Sequence, residues 1–305
     1  MHADGVDTDL ATGGAGAGGP ARDPASLSAD HARPGAPAGP DWLALREGAD
    51  AEARAVDLVD ELRVGHPAPA RILDLGAGTG SMARWLAPRL PGPQHWVLAD
   101  RDAALLGHVA GTLPAGAADG SPVTVETREL DVATLSVDDL AGAEGHTDLV
   151  TASALLDLLT AEEVEAIAAA CVGAGAAALL TLSVLGEVRL EPGEPRDVAV
   201  AAAFDAHQQR TVDGRELLGP RAPALAREAF TRRGAAVRTR ASPWHLGLDD
   251  VDLVVAWLEG WVAAAVAQDP DLARHADAYL ARRLQAAEEG RLRVTVGHLD
   301  LLALP

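Results

Sequence analysis

The segment Asp74-Leu75-Gly76-Ala77-Gly78-Thr79-Gly80 joins a carboxylate to three alternating glycines directly after the apolar run Ile72-Leu73. Glycine has no Cβ, so a loop with glycine at every second position can take positive φ values and bring its backbone close to a ligand. A helix beginning after Gly80 would aim its free N–H groups at the same place. Such a loop forms the floor of a nucleoside-bearing cofactor site. Its spacing separates the candidates: a dinucleotide fingerprint carries its third glycine three residues after the second, and that position, 81, is serine. Asp74 also disfavours a pyrophosphate nearby and suits a ligand with an ammonium group.

Three further carboxylates or hydroxyls follow strand-like runs at the intervals such a site requires. His95-Trp96-Val97-Leu98-Ala99 ends in Asp100, where a carboxylate can accept hydrogen bonds from ribose hydroxyls, or else serve as a turn residue. Val123-Thr124-Val125-Glu126-Thr127 alternates like a strand and leads to Asp131-Val132. Asp131 is an acid just past that run, able to accept a hydrogen bond from a ligand or simply to cap a turn. Thr147-Asp148-Leu149-Val150-Thr151-Ala152-Ser153 is a fourth apolar run, and ligands of open α/β sheets bind outside the carboxyl ends of such strands.

These four motifs, in this order, resemble those of class I S-adenosylmethionine-dependent methyltransferases, whose first motif is an acidic residue, one spacer and Gly-x-Gly-x-Gly after strand one. The resemblance covers roughly residues 70 to 185. It implies an α/β fold: a seven-stranded Rossmann-like sheet with an antiparallel last strand, helices on both faces and an added helical cap. It implies S-adenosylmethionine as cofactor, held by Asp74, Gly76, Ala77, Gly78, Gly80, Asp100, Arg101, Asp131, Val132 and Ser153, with no metal. The activity it implies is direct methyl transfer to an O, N or C atom of a small molecule. Two alternatives stay open: a nicotinamide-dependent oxidoreductase, and a methyltransferase-like binding protein without turnover.

The elements that must position these residues can be read around them. Residues 1–40, with Gly13-Gly14-Ala15-Gly16-Ala17-Gly18-Gly19-Pro20, carry no hydrophobic period and are expected to be disordered. Residues 41–305 are expected to be one domain, with a cofactor-binding core at about 66–185 and a helical substrate cap at about 190–290. From Asp41 to Val64 the apolar spacing predicts one helix with an acidic outer face. Arg46 and Arg54 lie on it and are read as solvated, with contact to the cofactor's methionine carboxylate as the alternative. Residues 166–186 lack charge but are broken by Gly173 and Gly175, so they predict helix, turn and a fifth strand at Leu179–Leu185 rather than a membrane span. Helices are expected at 196–211, 221–233 and 249–287, a sixth strand with its exit loop at 238–246, and a seventh at 291–304.

Catalytic groups are harder to read, because substrate recognition is grafted onto a shared cofactor fold. His207, in Asp205-Ala206-His207-Gln208-Gln209-Arg210, is the first candidate general base, since an unperturbed imidazole titrates near neutrality. Asp157 and His245 are the next. Trp244 and His245 could face a substrate, while Trp257 and Trp261, four apart, share a helix face and predict packing.

Composition removes several rivals. A net charge of −20 over 305 residues argues against nucleic-acid and anionic-membrane partners. The chain contains no lysine, so it forms no Schiff base and no phosphate-loop lysine. Cys171 is the only cysteine, which rules out an intrachain disulfide and a cysteine-rich zinc site, reads as a small core residue, and suggests a cytoplasmic location.

Overall fold

The apolar run ahead of the glycine loop is a strand with a neighbour on each side. In the computed structural model, which describes Met1 and residues 39–66, 68–109, 111–114, 116–141 and 145–305, β1 (Arg71–Leu75) pairs in parallel with β2 (Gln94–Asp100) and β4 (Leu149–Ser153). β3 (Val123–Glu129) adds in parallel beyond β2, and β5 (Ala177–Glu191) beyond β4. Strands covered on both faces read as continuous apolar runs, as Ile72, Leu73 and Leu75 do, all buried. The expected disorder of residues 1–40 falls almost wholly outside the described residues.

β10 (Arg293–Leu304) inserts between β5 and β8 (Ala236–Ala241), antiparallel to both, and the order across the sheet is β3-β2-β1-β4-β5-β10-β8. The seven strands and the antiparallel last one are therefore as expected. An eighth, β9 (Trp244–Leu246), also pairs with β10. The expected strand at 238–246 is split at Ser242-Pro243, where the Ser242 hydroxyl turns inward to Asp300 at 2.6 Å and Pro243 has no N–H to give a ladder.

Helices cover the sheet: α1 (Pro40–Ala53), α2 (Val56–Gly65), α3 (Ser81–Leu86), α4 (Ala103–Leu106), α5 (Val137–Ala141), α6 (Ala161–Ala174), α7 (Asp197–Gln208), α8 (Ala222–Arg232), α9 (Val251–Gln268) and α10 (Ala273–Glu288). Residues 166–186 do form helix, turn and strand, with Gly175 at φ 71° in the left-handed position that ends helices. The strand starts at Ala177 and runs on to Glu191, because β10 pairs with it along almost its whole length. The single helix expected at 41–64 is two, broken at Arg54-Ala55. The helix expected at 249–287 is also two, interrupted by Asp269-Pro270, where proline cannot continue the backbone ladder.

Side chains of β1 alternate between two cores. Leu73 and Leu75 join Val97, Val150 and the apolar faces of α6 and α8, while Ile72 joins Trp96, Leu149 and the faces of α2 and α3. A third core gathers α7, α9 and α10 around Trp257 and Trp261 and ties them to Trp42 and Leu45 of α1. Trp257 and Trp261 are stacked at 5.0 Å between ring centroids, the packing their spacing predicts. Cys171 is buried. Among the described residues no helix is long and apolar enough to cross a membrane.

Candidate active site

The glycine loop adopts the geometry its composition allows. Gly76, Gly78 and Gly80 take φ values of 63°, 54° and 86°, and Gly80 leads directly into α3. A methyl group at Gly76 would lie 2.8 Å from Leu155 Cδ1, and one at Gly78 3.0 Å from Leu43 Cδ1. Leu155, just past β4, and Leu43, on α1, therefore close over the loop's bare backbone. The Ala77 amide donates to the Ala99 carbonyl at 3.0 Å, which pins the loop against the end of β2.

Asp74 is buried at 1 % exposure. Its Oδ1 accepts from Thr151 Oγ1 at 2.6 Å, but its Oδ2 is buried without a partner among the described residues. Burial pushes the carboxyl up to about 7, against the opposing pull of the Thr151 hydrogen bond and the Arg54 charge. A buried carboxylate oxygen left empty is costly unless a cation completes it.

Arg54 corrects the reading of a solvated arginine. It is 2 % exposed, and at the break between α1 and α2 its guanidinium turns inward, donating through Nη2 to Ser153 Oγ at 3.0 Å and Ser81 Oγ at 3.4 Å. Its Nε and Nη1 are buried with no acceptor among the described residues. Burial lowers its pKa, with the Asp50, Asp300 and Asp74 charges opposing. Arg46 is also engaged, holding Asp50 with two hydrogen bonds at 2.9 and 3.1 Å and lying 4.9 Å over the Trp244 ring.

A residue that sequence reasoning passed over holds this corner together. Asp300, 1 % exposed on β10, accepts through Oδ2 from the Ala55 amide at 2.8 Å and through Oδ1 from the Leu182 amide at 2.7 Å and Ser242 Oγ at 2.6 Å. Leu182 sits at φ 56°, a left-handed conformation that a branched side chain rarely adopts. The only signal in the sequence was a charged residue inside an apolar C-terminal strand.

On the other side of Leu155 a cleft of about 280 Å³ opens, lined by Gly76, Asp100, Arg101, Asp131, Val132 and, from the β6 (Thr211–Val212) to β7 (Arg215–Glu216) hairpin, Val212, Asp213 and Arg215. Asp100 Oδ2 accepts from the Gly78 amide at 2.8 Å and Oδ1 from the Asp102 amide at 2.9 Å. Each oxygen keeps a second lone pair for a hydroxyl. Asp131 Oδ1 accepts from the Ala133 amide at 3.0 Å, so it both caps a turn and lines the cleft. The hairpin turns through Asp213 and Gly214, at φ 51° and 81°, the two-residue turn that Asp-Gly favours. Arg215 fastens it to Glu163 at 2.6 and 3.1 Å.

The candidate bases are placed apart. Asp157 follows Leu155 on a short turn. It is partly exposed, and burial raises its carboxyl to about 6. His207 is buried on α7 beside Val200 and Ala203, and burial with the nearby Arg210 charge lowers it to about 4. His245 is exposed on β9, while its neighbours Trp244 and Leu246 point into the core. Trp244 is buried and donates from Nε1 to Asp50 at 3.0 Å, which makes it a packing residue. Among the described residues no group of three or more His, Cys, Asp or Glu side chains could hold a metal ion.

Residues 72–174 match the family model described as a methyltransferase domain. No curated protein matches the chain. Among solved structures, it is similar to a cyclopropane synthase from Mycobacterium tuberculosis, at 14% identity over 91% of this chain and 98% of that one, with a TM-score of 0.45. It is similar also to an S-adenosylmethionine-dependent methyltransferase from Geobacter sulfurreducens, solved with S-adenosyl-L-homocysteine, at 17% identity over 88% and 99% and a TM-score of 0.42. A third is the magnesium protoporphyrin IX methyltransferase from Synechocystis PCC 6803, at 13% identity over 87% and 86% and a TM-score of 0.43.

Proposed function

We propose that this chain, of which residues 72–174 match a methyltransferase-domain model, is an S-adenosylmethionine-dependent methyltransferase acting on a small molecule. The observation that carries this reading is the pair of unfilled buried charges beside the glycine loop, Asp74 Oδ2 and Arg54 Nε and Nη1. Together they are complementary to the ammonium and carboxylate of an amino-acid group. The cleft beyond Leu155 offers Asp100 to ribose hydroxyls, Asp131 to an adenine amine and Val132 to its ring. A nicotinamide dinucleotide has no ammonium group to offer Asp74, and its fingerprint glycine is absent at Ser81.

When bound, S-adenosylmethionine supplies a methyl group already activated on a sulfonium. The work left to the protein is orientation and exclusion of water. Asp74, Arg54 and Ser153 hold the amino-acid end, Gly76 to Gly80 admit it against bare backbone, and Leu43 and Leu155 cover it. A base is needed only where the acceptor atom carries a proton. Asp157 is then the first of the three candidates: it follows Leu155 by two residues on the turn after β4, and at about 6 it accepts a proton nearer working pH than His207 does at about 4. The helices α7, α9 and α10 serve as the substrate cap.

Turnover is tested by incubating the protein with S-adenosylmethionine and a panel of small amines, phenols and carbon acids, and following S-adenosylhomocysteine by mass spectrometry. Product that accumulates only with an acceptor, and falls in Asp157→Asn, supports the reading. Tight cofactor binding with no product from any acceptor would favour a binding protein without turnover.

A further inference from the structure

Among the described residues Arg54 has two buried nitrogens without an acceptor and no ion pair of its own, so something else must fix the backbone that aims it. The chain breaks its helical course at Arg54-Ala55, and the amide freed by that break, Ala55 N, is taken by Asp300 at 2.8 Å. The same carboxylate holds the strained Leu182 amide at 2.7 Å and the Ser242 hydroxyl at 2.6 Å. One buried side chain thus joins the helix break, the middle of β5 and the corner between β8 and β9. Its negative charge also lies close enough to offset the buried guanidinium.

We infer that Asp300 is a positioning residue for the cofactor's amino-acid end, acting through Arg54, so that it sets the preference of the site for a nucleoside bearing an amino acid over the same nucleoside without one. This rests on the placement of the methionine end proposed above. All three contacts of Asp300 are with donors. Asparagine in its place would turn an NH2 group toward Ala55 N–H or toward the Leu182 and Ser242 donors, and would remove the compensating charge as well. The adenosine cleft, built from Asp100, Asp131 and Val132 on the opposite edge of the loop, makes no contact with Asp300 and should not register the change.

The test compares calorimetric affinities for S-adenosylmethionine and 5′-methylthioadenosine, which lacks the amino acid. The wild-type protein should prefer the first. Asp300→Asn should lose about tenfold or more for the first and little for the second, and should lose nothing further in an Arg54→Met background. Ser242→Ala, which removes only one contact, is the second variant should Asp300→Asn not fold, and should shift the ratio in the same direction. An unchanged ratio in a folded variant, or equal losses for both ligands, would overturn the positioning role and leave the proposed function standing. A wild-type protein that binds neither ligand would overturn both.

Discussion

Arg54 donates to the Ser153 hydroxyl at 3.0 Å across 99 positions of sequence, tying the break between α1 and α2 to the carboxyl end of β4. Thr151, two residues earlier on that strand, donates to Asp74 at 2.6 Å. Arg54 and Asp74 are therefore both tied to one strand, and a shift of β4 moves both.

Because two Arg54 nitrogens are buried without an acceptor among the described residues, Arg54→Met should weaken S-adenosylmethionine binding. A charged hydrogen bond contributes about 1.5–3 kcal/mol, so the loss should be about 10- to 100-fold. Affinity for 5′-methylthioadenosine should stay within about twofold, since the truncated nucleoside never reaches this nitrogen pair. Calorimetry on both ligands checks it; equal losses would place Arg54 in a structural role instead.

Asp74 gives the site a pH signature. Its carboxyl is raised to about 7 by burial, so below that pH the empty site holds a proton there. An ammonium-bearing ligand favours the ionised form, so binding lowers this pKa and expels the proton. Affinity should rise as the pH is raised toward about 7 and then level off. At pH 6, binding heats in buffers of different ionisation enthalpy should report proton release, and Asp74→Asn should abolish that release. For folding the sign is opposite: the native group keeps its proton where the unfolded one has lost it, so Asp74 makes the ligand-free protein less stable as pH rises from about 4 to 7.

Gly76→Ala should fail on two counts. The residue sits at φ 63°, which costs an L-residue about 1–2 kcal/mol, and the new methyl group would meet Leu155 Cδ1 at 2.8 Å. Stability by urea denaturation should fall by about that amount, and cofactor binding should fall with it. A variant of unchanged stability would mean the loop has another conformation open to it.

Helices α7 and α10 are joined by a charge pair, away from the glycine loop, of which only the arginine is fully buried. Arg283, 1 % exposed, grips Asp197 at the start of α7, while Tyr279 Oη donates to the same carboxylate at 2.7 Å. Arg283→Ala leaves Asp197 without its cation and should cost about 3–5 kcal/mol, read by denaturation. In the folded fraction, affinity for S-adenosylhomocysteine should be unchanged.

The glycine loop and the strand ends around it were legible because their signal is local. A carboxylate, alternating glycines and apolar runs at fixed intervals specify strand, turn and helix within a few residues, and Asp74, Gly76, Asp100, Asp131, Val132 and Ser153 lie at the strand ends where those runs put them. Arg54 was not legible. Its position fits a helix with a polar outer face, but the chain breaks there, the Ala55 amide is taken by Asp300 245 residues away, and the side chain turns inward. His207 shows the same limit. Its place in a dense polar segment reads as reactive, whereas the fold buries it beside Val200 and Ala203 and lowers its basicity.

The central claim is the identity of the cofactor. Calorimetric titration of the purified protein with S-adenosylmethionine, S-adenosylhomocysteine and NAD, with Asp100→Ala alongside, tests it most directly. Micromolar binding of the first two, weakened by the substitution and absent for NAD, is the predicted result. Binding of NAD alone would contradict it.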